Sequence, residues 1–348
     1  MRITLVAEHL PEREGSASGR MLRAAALGLL AAGHDVDTVS WGERQQVEEL
    51  PAWASYRPVH RTSGLRDHVA AVLRPRWASR ALGLVDDGRV WWAEDPLSWA
   101  AVDGFARTGS VLHYSCLLDA RALGRVTPHA LQGHRADRRA VARASAPTAY
   151  SSRVAQALGG RAAVIPAAVE VPASPVGLVD RPVALLLADW GWPPNAEALR
   201  RLLADWPQVR AACSGAELLL AGRRAPADLG TGLAGVRVLG EVGTAEEAFA
   251  QAAVLAFPCP PTSGPKTKVL EAMAAGLPVV TTAAGVEGLV DPSCAATGED
   301  TALSSVLADL LADPERRADL AARGRRLVEA SHGPAAAAAA RLAQLPEG

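Results

Sequence analysis

Lysine is almost missing from this chain of 348 residues. Of 36 basic side chains only Lys266 and Lys268 carry an ammonium, and the other 34 are arginine. Cysteine is scarce too. Cys116, Cys213, Cys259 and Cys294 stand far apart with no CxxC pair, so neither a zinc site nor a disulfide framework is signalled, and a reduced compartment suits them. No stretch approaches about 18 apolar residues without a charge, so nothing reads as a membrane span. The opening strand meets acidic residues and proline too soon for a secretory h-region. These absences point to a cytoplasmic protein whose contact with membranes, if any, is peripheral. The net charge of −1 offers no basic footprint to a polyanion and argues against nucleic acid as a partner. Hydrophobic residues at 49% and charged residues at 21% describe a globular chain, long enough for two domains with their own cores.

What is present alternates. Ile3 to Ala7 reads as a buried strand, a loop follows, a helix runs from about Gly19 to Ala32 and stops at Gly33, and Val36 to Trp41 is the next strand. Such a unit needs a crossover, hence parallel strands. Further strands are expected at residues 89–92, 110–113, 148–150 and 163–165. Residues 167–177 are rich in proline and glycine and read as a linker. A second alternating set has strands at 182–188, 217–221, 236–239, 253–257 and 277–281. The expectation is an α/β protein of two Rossmann-like parallel-sheet domains, residues 1–172 and 173–348, facing a cleft at the carboxyl ends of their strands. The alanine-rich tail, residues 334–345, is helix-prone and could pack on either domain.

The two lysines sit in Ser263-Gly264-Pro265-Lys266-Thr267-Lys268-Val269-Leu270-Glu271. A compact ammonium can act as a point charge where a planar guanidinium does not fit. The setting is a strand-to-helix turn, where backbone N–H groups commonly meet phosphate. Pro265 is expected at the first position of a helix ending at Gly276, and Gly264 would let a ligand approach the backbone. Cations in a first turn oppose the helix macrodipole unless an anion is near. The pattern points to a nucleoside diphosphate. Structural alternatives stand beside it: chance proximity of the lysines, or a surface pair of Lys268 with Glu271 at i,i+3. Glu271 could instead accept two hydrogen bonds from the vicinal hydroxyls of a ribose.

Residues 257–289 resemble the donor-binding segment of family 4 glycosyltransferases, which have the GT-B fold. The matching run is Ser263 through Thr282, followed by Gly285-Val286-Glu287-Gly288-Leu289. Asp189-Trp190-Gly191-Trp192-Pro193-Pro194-Asn195-Ala196-Glu197-Ala198 resembles a turn after the first strand of the second domain, and Leu218-Leu219-Leu220-Ala221-Gly222-Arg223 also matches. In the first domain the likeness is confined to the Gly15 loop, Glu94-Asp95-Pro96 and Val164-Ile165-Pro166. The resemblance implies a retaining transferase that moves a sugar from a nucleoside diphosphate sugar, UDP-linked, to an unidentified acceptor that is a glycan, a lipid-linked species or a small metabolite. It implies no cofactor and no metal. Glu271 would hold the donor ribose, Lys266 and Lys268 would face the diphosphate, and Ser263, Gly264 and Glu287 fall in the same donor-binding run. Gly15 and Ser16 would approach the phosphates, and His113 would sit near the reacting sugar. His113 also reads as a core histidine on an apolar strand.

Two departures from the family pattern stand out. Many members carry a pair of glutamates of which the second corresponds to Glu271, while the first falls on Ser263, which leaves the donor sugar unread. The turn from Asp189 to Trp192 lacks the basic residues that relatives place there, so charge would rest on Lys266 and Lys268. A sugar-nucleotide epimerase and a non-catalytic nucleotide-sugar-binding partner are the alternatives. Asp35-Val36-Asp37 has the letters of a metal-binding DxD, but strand alternation explains it. Trp91, Trp92 and Trp99 read equally as core or as acceptor-facing residues.

Overall fold

The computed structural model describes residues 1–42, 50–58, 77–225, 229, 232–299 and 302–346. The chain divides into two compact units. The first comprises Met1–Glu170, Ser263–Pro265 and His332–Gly348, and the second Val171–Thr262 and Lys266–Ser331. The passage from one to the other lies within residues 167–177.

The first unit holds strands β1 (Arg2–Ala7), β2 (Asp35–Gly42), β3 (Ala54–Pro58), β4 (Val90–Ala93), β5 (Thr108–Leu112), β6 (Ala146–Ala149) and β7 (Ala163–Val164). They form one sheet in the order β3-β2-β1-β4-β5-β6-β7, with every pairing parallel. The second unit holds β8 (Val183–Leu187), β9 (Glu217–Ala221), β10 (Val236–Gly240), β11 (Val254–Phe257), β12 (Val279–Thr281) and β13 (Ala296–Thr297), all parallel in the order β10-β9-β8-β11-β12-β13. Continuous burial along β4, β5 and β11 is what strands covered on both faces require, and the crossover helices supply the cover.

The two parallel-sheet α/β units are thus as the alternation predicts. The reading omitted β3 and β13. Both are edge strands, one half polar in sequence and one only two residues long, so neither carries a strong period.

Strand order reverses once in each sheet. β2 and β3 lie on one side of β1 and β4 on the other; β9 and β10 lie on one side of β8 and β11 on the other. Each reversal parts the loops that leave the carboxyl ends of adjacent strands and opens a crevice, the usual ligand position in such sheets. The loops after β1 and β4 flank the first crevice, and those after β8 and β11 the second.

The alanine-rich tail forms the helix Pro334–Leu342 and belongs to the first unit. It packs against the helix Ala17–Ala31, where Ala24, Ala168 and Ala337 form one small buried cluster. Small side chains let the backbones approach closely: a Cβ built on Gly28 would lie 2.0 Å from the Pro334 carbonyl oxygen. Gly28→Ala should therefore lower the urea midpoint, with a net loss of about 1–3 kcal/mol from overpacking, although alanine by itself favours a helix by about 1 kcal/mol. A rise in the midpoint would show that the helices do not meet there.

Candidate functional site

In the second unit the crevice at β8 and β11 is bordered by the start of the helix Thr267–Ala274. The sequence reading placed Pro265 at the first helical position, and the structure corrects this. Lys266 is the N-cap, with extended backbone (φ −100°, ψ 97°), and its carbonyl accepts the first helical bonds from the amides of Val269 and Leu270. An N-cap normally contributes a side-chain oxygen to the orphan N–H groups of the first turn. A lysine has none, and no side-chain cap is made. The helix Pro193–Ala212 after β8 also lacks a side-chain cap, but it opens on two prolines with no N–H to satisfy. The other end of Thr267–Ala274 is well provided for. The Arg325 guanidinium donates to the Ala274 carbonyl at 2.8 Å, and Gly276, at φ +76°, closes the turn. The helix therefore has a cation at its negative end and a start suited to an anion.

The lysines are fixed near that start. Lys266 Nζ donates to the Thr262 carbonyl at 3.2 Å. Lys268 Nζ donates to Asn195 Oδ1 at 2.8 Å and sits 4.1 Å from the centroid of the Phe257 ring, a cation–π contact. Asn195, 8% exposed, is oriented in turn by donating its Nδ2 to the Asp189 carbonyl at 2.9 Å. This link from the Asp189 turn to Lys268 spans 73 positions of sequence, and no local pattern announced it.

The turn from Asp189 to Trp192 is not without positive charge. The Arg224 Nη2 lies 2.6 Å from Asp189 Oδ1, and Arg223 reaches the other carboxylate oxygen at 3.7 Å. Burial works to raise the Asp189 carboxyl, but bonding and charge from Arg224 outweigh it and hold the group below its ordinary range. Arg224 has φ +61°, a conformation that costs a non-glycine residue energy. The basic residues come from the loop after β9, remote in sequence from residues 189–192.

Glu271 is half-buried on the helix, and Glu287 is half-buried in the loop after β12. Burial raises the Cys259 thiol, which also feels Lys266 and Lys268 as positive charges and Glu287 as a negative one.

In the first unit, Gly15 and Ser16 organise a helix start. Ser16 caps Ala17–Ala31 by accepting from the Gly19 amide at 3.1 Å, and the Gly15 carbonyl accepts from Arg20 at 2.6 Å. Ser263 is 6% exposed: its amide donates to Asp119 Oδ1 at 2.6 Å and its hydroxyl accepts from the Ser115 amide at 2.9 Å. Gly264 has φ +78°, and a Cβ there would lie 2.1 Å from the His113 carbonyl oxygen. The close approach expected of a ligand at Gly264 is made by protein backbone. His113 follows β5, with Nε2 3.6 Å from Glu94 Oε2 and its ring 4.9 Å from that of Tyr150.

Asp95 caps the helix Pro96–Val102 and takes the Glu8 amide at 3.0 Å, tying the loops after β1 and β4 together. Trp91, Trp92 and Trp99 are buried in the core. Asp37 pairs with Arg89 at 3.2 Å. Among the described residues no group of three His, Cys, Asp or Glu side chains is placed to hold a metal, and no helix is long and apolar enough to cross a membrane. Sequence reasoning passed over Asp137, whose carboxyl is 3% exposed with one oxygen lacking a hydrogen-bond partner. Burial first, and then the charge of Asp95, pushes it up to about 8.

Residues 181–329, all within the second unit apart from Ser263–Pro265, match the family model described as glycosyl transferases group 1. No curated protein sequence matches the chain. Solved structures share its fold. A TarM variant from S. aureus, in complex with fondaparinux, alpha-GlcNAc-glycerol and UDP, superposes with a TM-score of 0.75 at 9% identity over 99% of this chain and 100% of that one. Sucrose-phosphate synthase from Thermosynechococcus elongatus gives 0.74 at 17% identity over 99% and 97%. HepE from Anabaena, in complex with UDP-glucose, gives 0.64 at 14% over 98% of each chain. The fold class is that of GT-B glycosyltransferases, as the resemblance implied.

Asp137 provides a check on the electrostatics. A carboxyl whose pKa is raised on folding contributes stability that is complete below its unfolded value near 4 and is lost as pH rises through about 8. Asp137→Asn should escape that loss. Its stability relative to the parent should grow by at most about 1.4 kcal/mol per pH unit across that window in urea titrations. A difference that is flat with pH would mean that Asp137 is ionised in the folded protein.

Proposed function

We propose that the protein is a retaining, family 4 type glycosyltransferase that moves a sugar from a nucleoside diphosphate sugar, UDP-linked, to an acceptor whose class is open. The observation that carries the reading is the helix start at Lys266: an N-cap residue with no side-chain oxygen to offer, two ammonium groups beside it, and a place at a strand-order reversal in a segment matching glycosyl transferases group 1. UDP bound to TarM and UDP-glucose bound to HepE support the choice of nucleotide.

In this reading the first-turn N–H groups, Lys266 and Lys268 take the diphosphate. They stabilise the charge that grows on it as the sugar–phosphate bond breaks. No cofactor beyond the nucleotide sugar is called for. Glu271 takes the ribose hydroxyls, Gly264 and Glu287 border the donor, and the Gly15-Ser16 loop serves the phosphates. His113 is assigned to the reacting sugar. A site on the cytoplasmic side, where nucleotide sugars are made, suits this chemistry.

The contacts of Ser263 favour a second reading, a nucleotide-sugar binder without turnover. Its hydroxyl and amide are both engaged by protein, at the position where many relatives have a glutamate. Release of UDP from a panel of UDP-sugars in the presence of glycan, lipid-linked and small-metabolite acceptors separates the two. Turnover sinks the binder, and tight binding with no release under any acceptor sinks the transferase. Release from a nucleotide sugar without any acceptor, or its isomerisation, would point to other chemistry.

Lys266→Ala and Lys268→Ala should each weaken UDP binding by about 1–3 kcal/mol, as for lost charge-assisted bonds, with an unchanged melting temperature. Lys268→Arg should restore little, because a planar fork cannot occupy the point contact between Asn195 and the Phe257 ring. If calorimetry detects neither UDP nor GDP at millimolar concentration, the reading fails.

A further inference from the structure

Arg341 lies in the last turn of the helix Pro334–Leu342 and is 1% exposed. A buried guanidinium must be paired and bonded to be tolerated. Its Nη1 donates to Glu94 Oε1, and its Nη2 donates to Glu94 Oε2 at 3.0 Å and to the Tyr150 hydroxyl at 2.7 Å. Glu94, 3% exposed, follows β4. Its Oε2, the oxygen that Nη2 holds, is the one 3.6 Å from His113 Nε2. The His113 side chain is 9% exposed while its Nε2 is buried, so what solvent reaches belongs to its other atoms.

One carboxylate is thus set between a fixed guanidinium and the His113 ring. Burial works to protonate Glu94, but Arg341 and then His113 overcome it and hold the carboxyl at about 2. Tyr150, the other titratable group against His113, is pushed up to about 12 by burial and stays neutral. Arg341 is therefore the permanent counter-charge in the cluster.

We propose that Arg341 is a positioning residue for the transfer reaction. Through Glu94, whose Oε2 it holds 3.6 Å from Nε2, it fixes the inward side of the His113 ring. The opposite ring edge is left for the donor sugar. The inference rests on the reading of His113 as the sugar-facing group. A helix more than 200 positions from His113 in sequence is, on this account, part of the catalytic apparatus.

The test uses the full chain. Arg341→Met keeps the length of the side chain and removes its charge. In the ligand-free variant the pH midpoint of the His113 ring signals in NMR should move up by about one unit or more, because the Glu94 carboxylate then favours the imidazolium. The double variant Arg341→Met with Glu94→Gln should return the midpoint to that of the parent. Turnover by Arg341→Met should fall tenfold or more at neutral pH, while the UDP Kd stays within twofold. If Arg341→Met does not fold, Glu94→Gln takes its place and the midpoint should move down, since the ring has lost its anion and kept the cation. A midpoint that stays put in a folded variant overturns the proposal, as does full turnover by Arg341→Met. The titration needs no substrate, so failure of the parent to bind UDP would overturn the functional reading alone.

Discussion

Every strand pairing in both sheets is parallel, and the placement of the polar loops depends on that constraint. A parallel sheet sends the carboxyl ends of all its strands to one edge, and with them the loops that carry polar side chains. Where the order reverses, at β1 and at β8, neighbouring loops diverge and leave room. The loop after β4 supplies Glu94 and Asp95 at the first reversal. At the second, the loop after β8 supplies Asp189 and Asn195, and the loop after β11 leads to the lysines. The interior can stay apolar because its polar burden is exported to this edge.

Charges at the two edges are handled in different ways. In the second unit, Lys266, Lys268, Arg223 and Arg224 are half-buried or exposed, each with protein partners that orient it without removing it from water. Such cations can be recruited to an anion at modest cost, since little desolvation remains to be done. In the first unit, Glu94 and Arg341 are fully withdrawn from solvent, and each is tolerated only because the other is there. The two schemes suit different tasks. The first leaves cations within reach of solvent, and the second fixes the geometry around the His113 ring.

The local features of the candidate site were legible in the chain itself. Lys266 and Lys268 betray themselves by composition, Gly276 by its place after a helical run, and Glu271 by its spacing from Lys268. The helix start was misplaced by two residues because Pro265 satisfies the preference for a first helical position equally well from just outside the helix. The arginines at the Asp189 turn were missed because they belong to a different strand-to-loop passage. Ser263 and Gly264 looked like ligand-facing residues, whereas their immediate neighbours are Ser115, Asp119 and the His113 carbonyl.

Composition and the alternation of strands and helices by themselves determined an α/β protein of two parallel sheets, with both lysines in one strand-to-helix turn. These are properties of short segments, set by side-chain period and by the geometry of one turn. Only the tertiary structure decided which distant groups complete each site: Asn195 on Lys268, Arg224 on Asp189, and Arg341 on Glu94 beside His113. Those pairings join residues 35 to 247 positions apart. A buried charge chooses its partner by proximity in the folded core, and nothing in a local sequence pattern encodes that proximity.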